Sequence, residues 1–574
     1  MIKYLKNFLS GFYDTLWKDY IFWLILFSFV AVINYVAIFY ITKGEFFYED
    51  TDCYMRAIRI EDWWQNFQWA ETVFPFSNPP HGFVLHFTRI NDVIWSLFSL
   101  PLALFMPAKD AIFYGGFAFS PLFMTLSILS IFWGVRPYIP QFKQRNLLFL
   151  FTIIISLILL HKLTNRFDFS SPDHHSLMAF VYSFNLAVLM RSFIKTNSWQ
   201  MFFAGIIAAM GIWASSAIEG FSVVFPFLLL ISLDWIFSPS HRHAPLFYTL
   251  GLFLGTLAAW LINPPYGGYA VMDISRLSVI HVALTALIFM SYLVLTSLNL
   301  IKYRNKIFAL IAAAFASALI MLCTFGTSTL VSPVYNPDVY AHFIPRIAEM
   351  KHSEGYSLII IFASLCICTY FLWHSKCRQL YIINLSIITL LTSIIAFLIA
   401  RYFIYQISLF AMLNILFIIT CTYVSEKKRL YKYITITYTL GLIFYLYSFN
   451  YIPSLRTIPQ LPGKIVLCNL FNAPMITYYQ NLDTVGSPYH SNIEGVVDNH
   501  TMWYTTDEAE LKRLLQKHQV TTIYLSPSSC SDNYYIKPKE NTDKLYGKII
   551  SGKNVYPWLE KIAENLYTIN YDKF

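Results

Sequence analysis

The chain has 574 residues, of which 57% are hydrophobic and only 13% charged, with a mean hydropathy of +0.51. An ordinary soluble domain carries roughly 25% charged residues, so a water-soluble fold, a disordered chain, a coiled coil and a nucleic-acid-binding protein are excluded as readings of the whole. The net charge of +9 is spread over short basic clusters, which in an apolar chain are topology signals before they are anion sites. The composition predicts a polytopic α-helical membrane protein.

In chain order, the first apolar run is Ile21–Ile41. No small-residue cleavage site follows it, so it reads as a retained signal-anchor helix. Runs of about spanning length follow at 111–134, 146–161, 177–194, 199–214, 221–237, 245–262, 279–300, 307–324, 356–373, 380–400, 402–423 and 431–447, giving about thirteen spans. The leftover apolar stretch, Val93–Pro107, decides the topology. If it is re-entrant or interfacial, all seven inner segments carry Lys or Arg, from Lys3, Lys6 and Lys18 to Lys427, Lys428 and Arg429. The positive-inside rule favours this choice. The loop 42–110, the joints 162–176, 215–220, 263–278 and 326–355, and the C-terminal region then lie outside. Residues 1–450 form the expected transmembrane unit and 451–574 a small extracytoplasmic α/β domain. In that domain Lys464–Leu470 and Val520–Leu525 read as strands and Asp507–His518 as an amphipathic helix. Cys366 and Cys368 are a bare C-x-C on an apolar run, which is not a zinc site. Cys468 and Cys530 share the soluble segment and are a candidate disulfide.

The most unusual residues gather in the expected outer joints. Asp50 and Asp52 form a D-x-D pair just after the first span. Two such carboxylates can hold a divalent cation, or one can act as base while the other orients it; alternatively they cap a helix starting near Tyr54. Arg56 and Arg59 follow one and two helical turns later. They suit bidentate phosphate contact, or else pair with Glu49, Glu61 or Asp62. Asn78-Pro79-Pro80-His81-Gly82 leads to His86, Arg89 and Asp92. Asp173-His174-His175 stands at the start of the next outer-to-inner helix and suits proton transfer or pyrophosphate contact. Glu219 lies in an otherwise apolar stretch, where a carboxylate is costly and usually functional. Arg276 and His281 begin a further helix, where an arginine could hold a lipid phosphate or simply snorkel.

A first outer loop with D-x-D, a Pro-Pro element before an interfacial helix, and a second outer acidic motif resemble the GT-C superfamily of integral membrane glycosyltransferases. The plan of about thirteen helices with an outer C-terminal domain is similar to the oligosaccharyltransferase catalytic subunits and the lipid A aminoarabinose transferases. The Pro-Pro element is similar to that of the aminoarabinose transferases and the protein O-mannosyltransferases. The resemblance covers mainly residues 1–300. It implies Asp50 or Asp52 as catalytic carboxylate and Asp173 as the second acidic motif. It also implies a polyprenyl-phosphate-linked sugar donor, a glycan, lipid or protein acceptor, and an active site on the outer face of a bacterial inner membrane. Arg56, Arg59, Arg89, His174, His175 and Arg276 are then the candidate donor-phosphate contacts, with Glu219, His81, His86 and His281 as further candidates. A divalent cation such as Mg or Mn would fall to Asp50, Asp52 and Asp173. The Trp-Trp-Asp-Tyr-Gly acceptor motif of N-oligosaccharyltransferases is absent; Met502-Trp503-Tyr504 does not match it.

Overall fold

The structure, a computed structural model, describes residues 46–48, 50–70, 73–135, 170–194, 197–215, 218–237, 243–298, 300, 302–327, 458–489, 491–525, 543–552 and 555–574. The expected spans at 21–41, 146–161, 356–373, 380–400, 402–423 and 431–447 lie outside these residues.

Helix α1, Thr51–Asn66, starts where Asp50 caps it. Asp50 is extended (φ −100°, ψ 139°), and its Oδ1 accepts from the Asp52 amide at 3.1 Å. The helix stops at Phe67, whose φ of 51° is left-handed. A short hairpin then pairs β1 (Val73–Phe74) antiparallel with β2 (Phe83–Val84). Gly82 precedes β2 because its φ is +67° and a Cβ there would lie 2.7 Å from the Phe74 carbonyl oxygen.

Helix α2, Arg89–Leu102, has 14 residues, a length of about 21 Å. This falls short of the roughly 30 Å hydrocarbon core, so α2 alone does not cross. Its first turn is polar and buried, whereas Leu97 and Leu100, and Leu104 and Phe105 just beyond it, are exposed. That division suits an interfacial helix. Helix α3, Ala108–Gly116, packs back against it so closely that a Cβ on Gly115 would sit 2.8 Å from Ser99 Cα. The run expected at 111–134 is interrupted by a short turn at Phe117 and Ala118 that separates α3 from α4, Phe119–Val135, yet the stretch Ala108–Ile131 is long and apolar enough to cross a membrane.

The bundle continues with α5 (His174–Ile194), α6 (Ser198–Ala214), α7 (Ile218–Phe237), α8 (Ala244–Ile262), α9 (Val279–Ser297) and α10 (Tyr303–Phe325). Four stretches among the described residues are long and apolar enough to span a membrane: Ala108–Ile131, Ala244–Ile262, Val279–Ser297 and Tyr303–Phe325. The chain is an integral membrane protein. Helices α6 and α8 approach through reciprocal glycines, since a Cβ on Gly205 would meet the Tyr248 carbonyl oxygen and one on Gly251 the Phe202 carbonyl oxygen, both at 2.0 Å. Small residues that let backbones touch are the usual means of helix association in lipid.

The two ends of the bundle differ. At one end the first loop lies on helix termini: Thr88 Oγ1 donates to the Trp213 carbonyl, the Arg89 amide to Asn263 Oδ1 at 2.7 Å, and Trp69 Nε1 to the Ile262 carbonyl at 2.6 Å. At the other end Arg191 donates to the Trp133 carbonyl at 2.8 Å and Lys306 to the Trp235 carbonyl at 2.7 Å. There the cations meet carbonyls at the C-terminal ends of α4 and α7, where the helix dipole favours them. Among the described residues, Arg191 and Lys306 thus lie at the end opposite the acidic motifs.

The C-terminal region folds around a five-stranded sheet of order β4-β3-β5-β7-β6. Strands β3 (Ile465–Leu467), β4 (Asp483–Thr484) and β5 (Thr522–Tyr524) are parallel neighbours, while β6 (Leu559–Ala563) and β7 (Leu566–Ile569) add antiparallel. Helices α11 (Ala473–Gln480), α12 (Ile493–Tyr504), α13 (Glu508–Lys517) and α14 (Leu545–Ser551) accompany it. Asp507 caps α13 by accepting from the Ala509 amide. Cys468 is a buried free thiol; Cys530 lies outside the described residues.

Candidate active site

Asp52 occupies the first turn of α1 and Asp173 is the residue before α5. The cap at Asp50 orients α1 so that both acids face the same polar end. Burial, and then the neighbouring Asp50 and Asp173 carboxylates, push the Asp52 carboxyl well above the usual carboxylate range, against the opposing pull of Arg56 and His174. Burial alone would also raise Asp173. His174, His175 and Arg56 outweigh it and hold Asp173 well below that range. Asp52 and Asp173 therefore share one site with their proton affinities driven in opposite directions, an arrangement suited to acid–base work.

Asp173 is held by its own neighbours. Its Oδ1 accepts from the His174 amide at 2.6 Å and lies 2.5 Å from His174 Nδ1, while Oδ2 lies 3.3 Å from His175 Nε2. The ligand atoms of these three residues all fall within 4.8 Å of one another, which allows them to hold a metal ion. This set brings in two histidines that the sequence assigned to donor phosphate.

Beneath the acids lies a buried charge cluster. Arg56 Nε is 3.7 Å from Asp173 Oδ1, its Nη1 is 3.9 Å from Asp92 Oδ1, and its guanidinium stands 4.0 Å over the Phe87 ring. Arg59 Nε pairs with Asp92 Oδ2 at 2.8 Å, and Arg89 Nη1 with the same oxygen at 3.2 Å. Arg89 also donates to the Trp69 and Gln68 carbonyls, both at 3.1 Å. One carboxylate thus gathers three arginines, all at least nine-tenths buried. Arg56 and Arg59 thus meet Asp92 and Asp173, while Glu61 and Asp62 bond Gln65 and Asn66 along α1 and Glu49 lies outside the described residues. The sequence did not single out Asp92 for a role; its signal was an acid and an arginine spaced i, i+3 at the start of an apolar helix.

The remaining candidates stand apart from this group or around it. His86 lies against Phe87 and Tyr489. His81 is exposed, near Glu494. Arg276 pairs with Asp273 at 3.2 Å. His281 is buried in a reciprocal cap with Ser278 and stacks on Phe221. Glu219 lies in the first turn of α7.

The C-terminal domain closes over the same end. The Ser77-to-Gly82 element is gripped by it: the Asn78 amide donates to the Thr484 carbonyl at 3.0 Å, Asn78 Nδ2 to Glu494 at 3.0 Å, and His518 Nδ1 lies 2.7 Å from the Pro79 carbonyl oxygen. Asn492 and Asp498 tie this contact together, bonding Ser77 and His518 respectively. Met502 and Trp503 are buried in the domain core.

No protein-family model matches the sequence, and no curated protein matches it. Among solved structures the chain is similar to the archaeal oligosaccharyltransferase AglB from Archaeoglobus fulgidus, solved in complex with an inhibitory peptide and a dolichol-phosphate. The TM-score is 0.63 at 13% identity, over 91% of this chain and 71% of that one. A second similar structure is the Archaeoglobus fulgidus oligosaccharyltransferase in complex with Zn and sulfate, with a TM-score of 0.56 at 12% identity, over 86% and 67% of the two chains. The chain thus shares the overall fold of these two structures.

Proposed function

We propose that the chain is an integral membrane glycosyltransferase that moves a sugar from a polyprenyl-phosphate-linked donor to a lipid, glycan or protein acceptor on the extracytoplasmic face. The observation that carries this reading is the gathering of Asp50, Asp52, Asp173, His174 and His175 at one end of an apolar bundle of GT-C-like fold. The donor's tail lies among the helices and its sugar phosphate at the polar end. Asp52, whose raised proton affinity suits a base, takes the proton of the acceptor hydroxyl. The hydroxyl oxygen attacks the anomeric carbon, the bond from that carbon to the phosphate oxygen breaks, and the phosphate leaves with the electron pair. His174 and His175 face the leaving group, and Arg56, fixed behind them, adds positive charge. The Asp173, His174 and His175 donor set fits a divalent cation, and its two imidazoles suit Zn better than Mg or Mn. A cation bound there supplies charge to neutralise the leaving phosphate.

The likeness to an oligosaccharyltransferase favours a second reading within this class, in which a preassembled lipid-linked glycan is transferred whole. The burial of Met502 and Trp503 leaves nothing resembling an acceptor-sequon loop at that position.

Purified protein in lipid nanodiscs, given a polyprenyl-phosphate-linked sugar, provides the test. Asp52→Asn and Asp173→Asn are expected to fold and to lose about 10²–10⁴ in transfer rate, the usual cost of losing a general base or its counterpart. Parental rates in both variants would refute the assignment.

A further inference from the structure

Tyr489 is 437 residues from Asp52 in sequence, yet its hydroxyl donates to Asp52 Oδ1 at 3.0 Å. It comes from the C-terminal domain, in the turn between β4 and α12. The side chain is 2% exposed. Its ring stacks on Phe83 at a centroid distance of 5.9 Å and an interplanar angle of 13°, and the edge of Phe87 closes one side at 5.5 Å. The backbone is fixed on both sides. The Tyr489 amide donates to the Ser487 carbonyl at 2.7 Å, and the Tyr489 carbonyl accepts from the Asn492 amide at 3.0 Å. Asn492 in turn donates through Nδ2 to Ser77 Oγ and Ser487 Oγ, each at 3.0 Å, which ties this turn to the first loop. The phenol therefore cannot swing away from Asp52 without unpacking the interface. A tyrosine serving only as packing would not need to aim its single O–H at a carboxylate crowded by two other acids.

We propose that Tyr489 is a positioning residue for Asp52: its hydroxyl holds Oδ1 and leaves Oδ2 to receive the acceptor's proton, so that the active site is complete only with the C-terminal domain docked. This inference rests on the glycosyl-transfer reading above. The phenol donates a charge-assisted hydrogen bond to the ionised acid, fixes which oxygen is free, and offsets part of the repulsion from Asp50 and Asp173. It touches neither donor nor acceptor.

The test uses the full-length protein in nanodiscs with a polyprenyl-phosphate-linked sugar. Tyr489→Phe keeps the stacked ring and removes only the hydroxyl. It is expected to lower kcat about ten- to one-hundred-fold, the range of a lost hydrogen bond to a charged group, with the donor KM unchanged and the thermal midpoint close to parental. Replacing Tyr489 with 3-fluorotyrosine keeps both ring and donor and is expected to retain the parental kcat. Asp52→Asn, measured alongside, separates the two claims. If Asp52→Asn is inactive while Tyr489→Phe turns over at the parental rate, or changes KM alone, the positioning role is wrong and the functional reading stands. If fluorotyrosine is as impaired as Phe, the loss belongs to packing and the proposal fails. Should Asp52→Asn turn over normally, the functional reading falls and this inference with it.

Discussion

Asp92 illustrates how a residue can govern the site without lining it. Its carboxylate is fully buried and pairs with Arg59 and Arg89 while facing Arg56. Removing one member of a buried ion cluster leaves the others uncompensated and costs about 3–5 kcal/mol. Asp92→Asn is accordingly expected to destabilise the protein by about that amount, seen as a clear drop in thermal midpoint in detergent. A midpoint unchanged from parental would mean the arginines are compensated elsewhere. Asp50, Asp52, Asp173 and Arg56 were legible in the sequence because charge is rare in an apolar chain and its position beside a span is informative. Tyr489 was not, since one of forty tyrosines carries no local signal and its partner is set by tertiary folding. The arginines were legible as charges but not as a shared cluster, because what pairs them is the approach of α2 to α1.

Among the elements, the contact between the Pro79–Pro80 turn and α12 and α13 joins the two parts of the chain. Asp498 anchors it, accepting from His518 Nε2 at 2.8 Å and Lys517 Nζ at 2.6 Å, while Lys517 also reaches Glu494 at 2.6 Å. Burial would raise the Asp498 carboxyl, but the hydrogen bonds from His518 and Lys517 outweigh it and hold it below the usual carboxylate range. A carboxyl lowered by folding stabilises the folded form wherever it is ionised, and that contribution fades as pH falls through the ordinary Asp value of about 3.9 and below. Docking of the C-terminal domain should therefore be intact at neutral pH and loosen in acid. Hydrogen exchange at residues 78–82 checks this: protection constant from pH 7 down to about 3 would contradict it. In this domain the strands expected at Lys464–Leu470 and Val520–Leu525 contain β3 and β5, and Asp507–His518 matches α13 and its two caps; the other elements carried no such signal. The break between α3 and α4 was not legible, because the apolar run from Ala111 to Gly134 continues through the turn at Phe117 and Ala118 with no charge to mark it.

For the whole molecule, an apolar bundle solves one physical problem and the polar end another. On the proposed reading, the helices admit a lipid-borne substrate from the bilayer without exposing its tail to water. The first loop and the C-terminal domain together fix the acids at the polar end, where that reading puts the sugar phosphate. The reciprocal Gly205 and Gly251 contact and the helix-end hydrogen bonds at Trp213 and Asn263 hold that end in shape. The spacing of Lys and Arg in the sequence speaks to insertion energetics rather than packing, and of the residues it singles out Arg191 and Lys306 stand at the end opposite the acids. The most direct test of the central claim is mass spectrometry of lipid-linked sugars and surface glycans from cells whose only copy carries Asp52→Asn. A glycosyltransferase using a polyprenyl-phosphate donor predicts that one lipid-linked sugar accumulates while one glycan species loses the corresponding mass. Unchanged profiles of both, with the variant present in the membrane at parental levels, would contradict it.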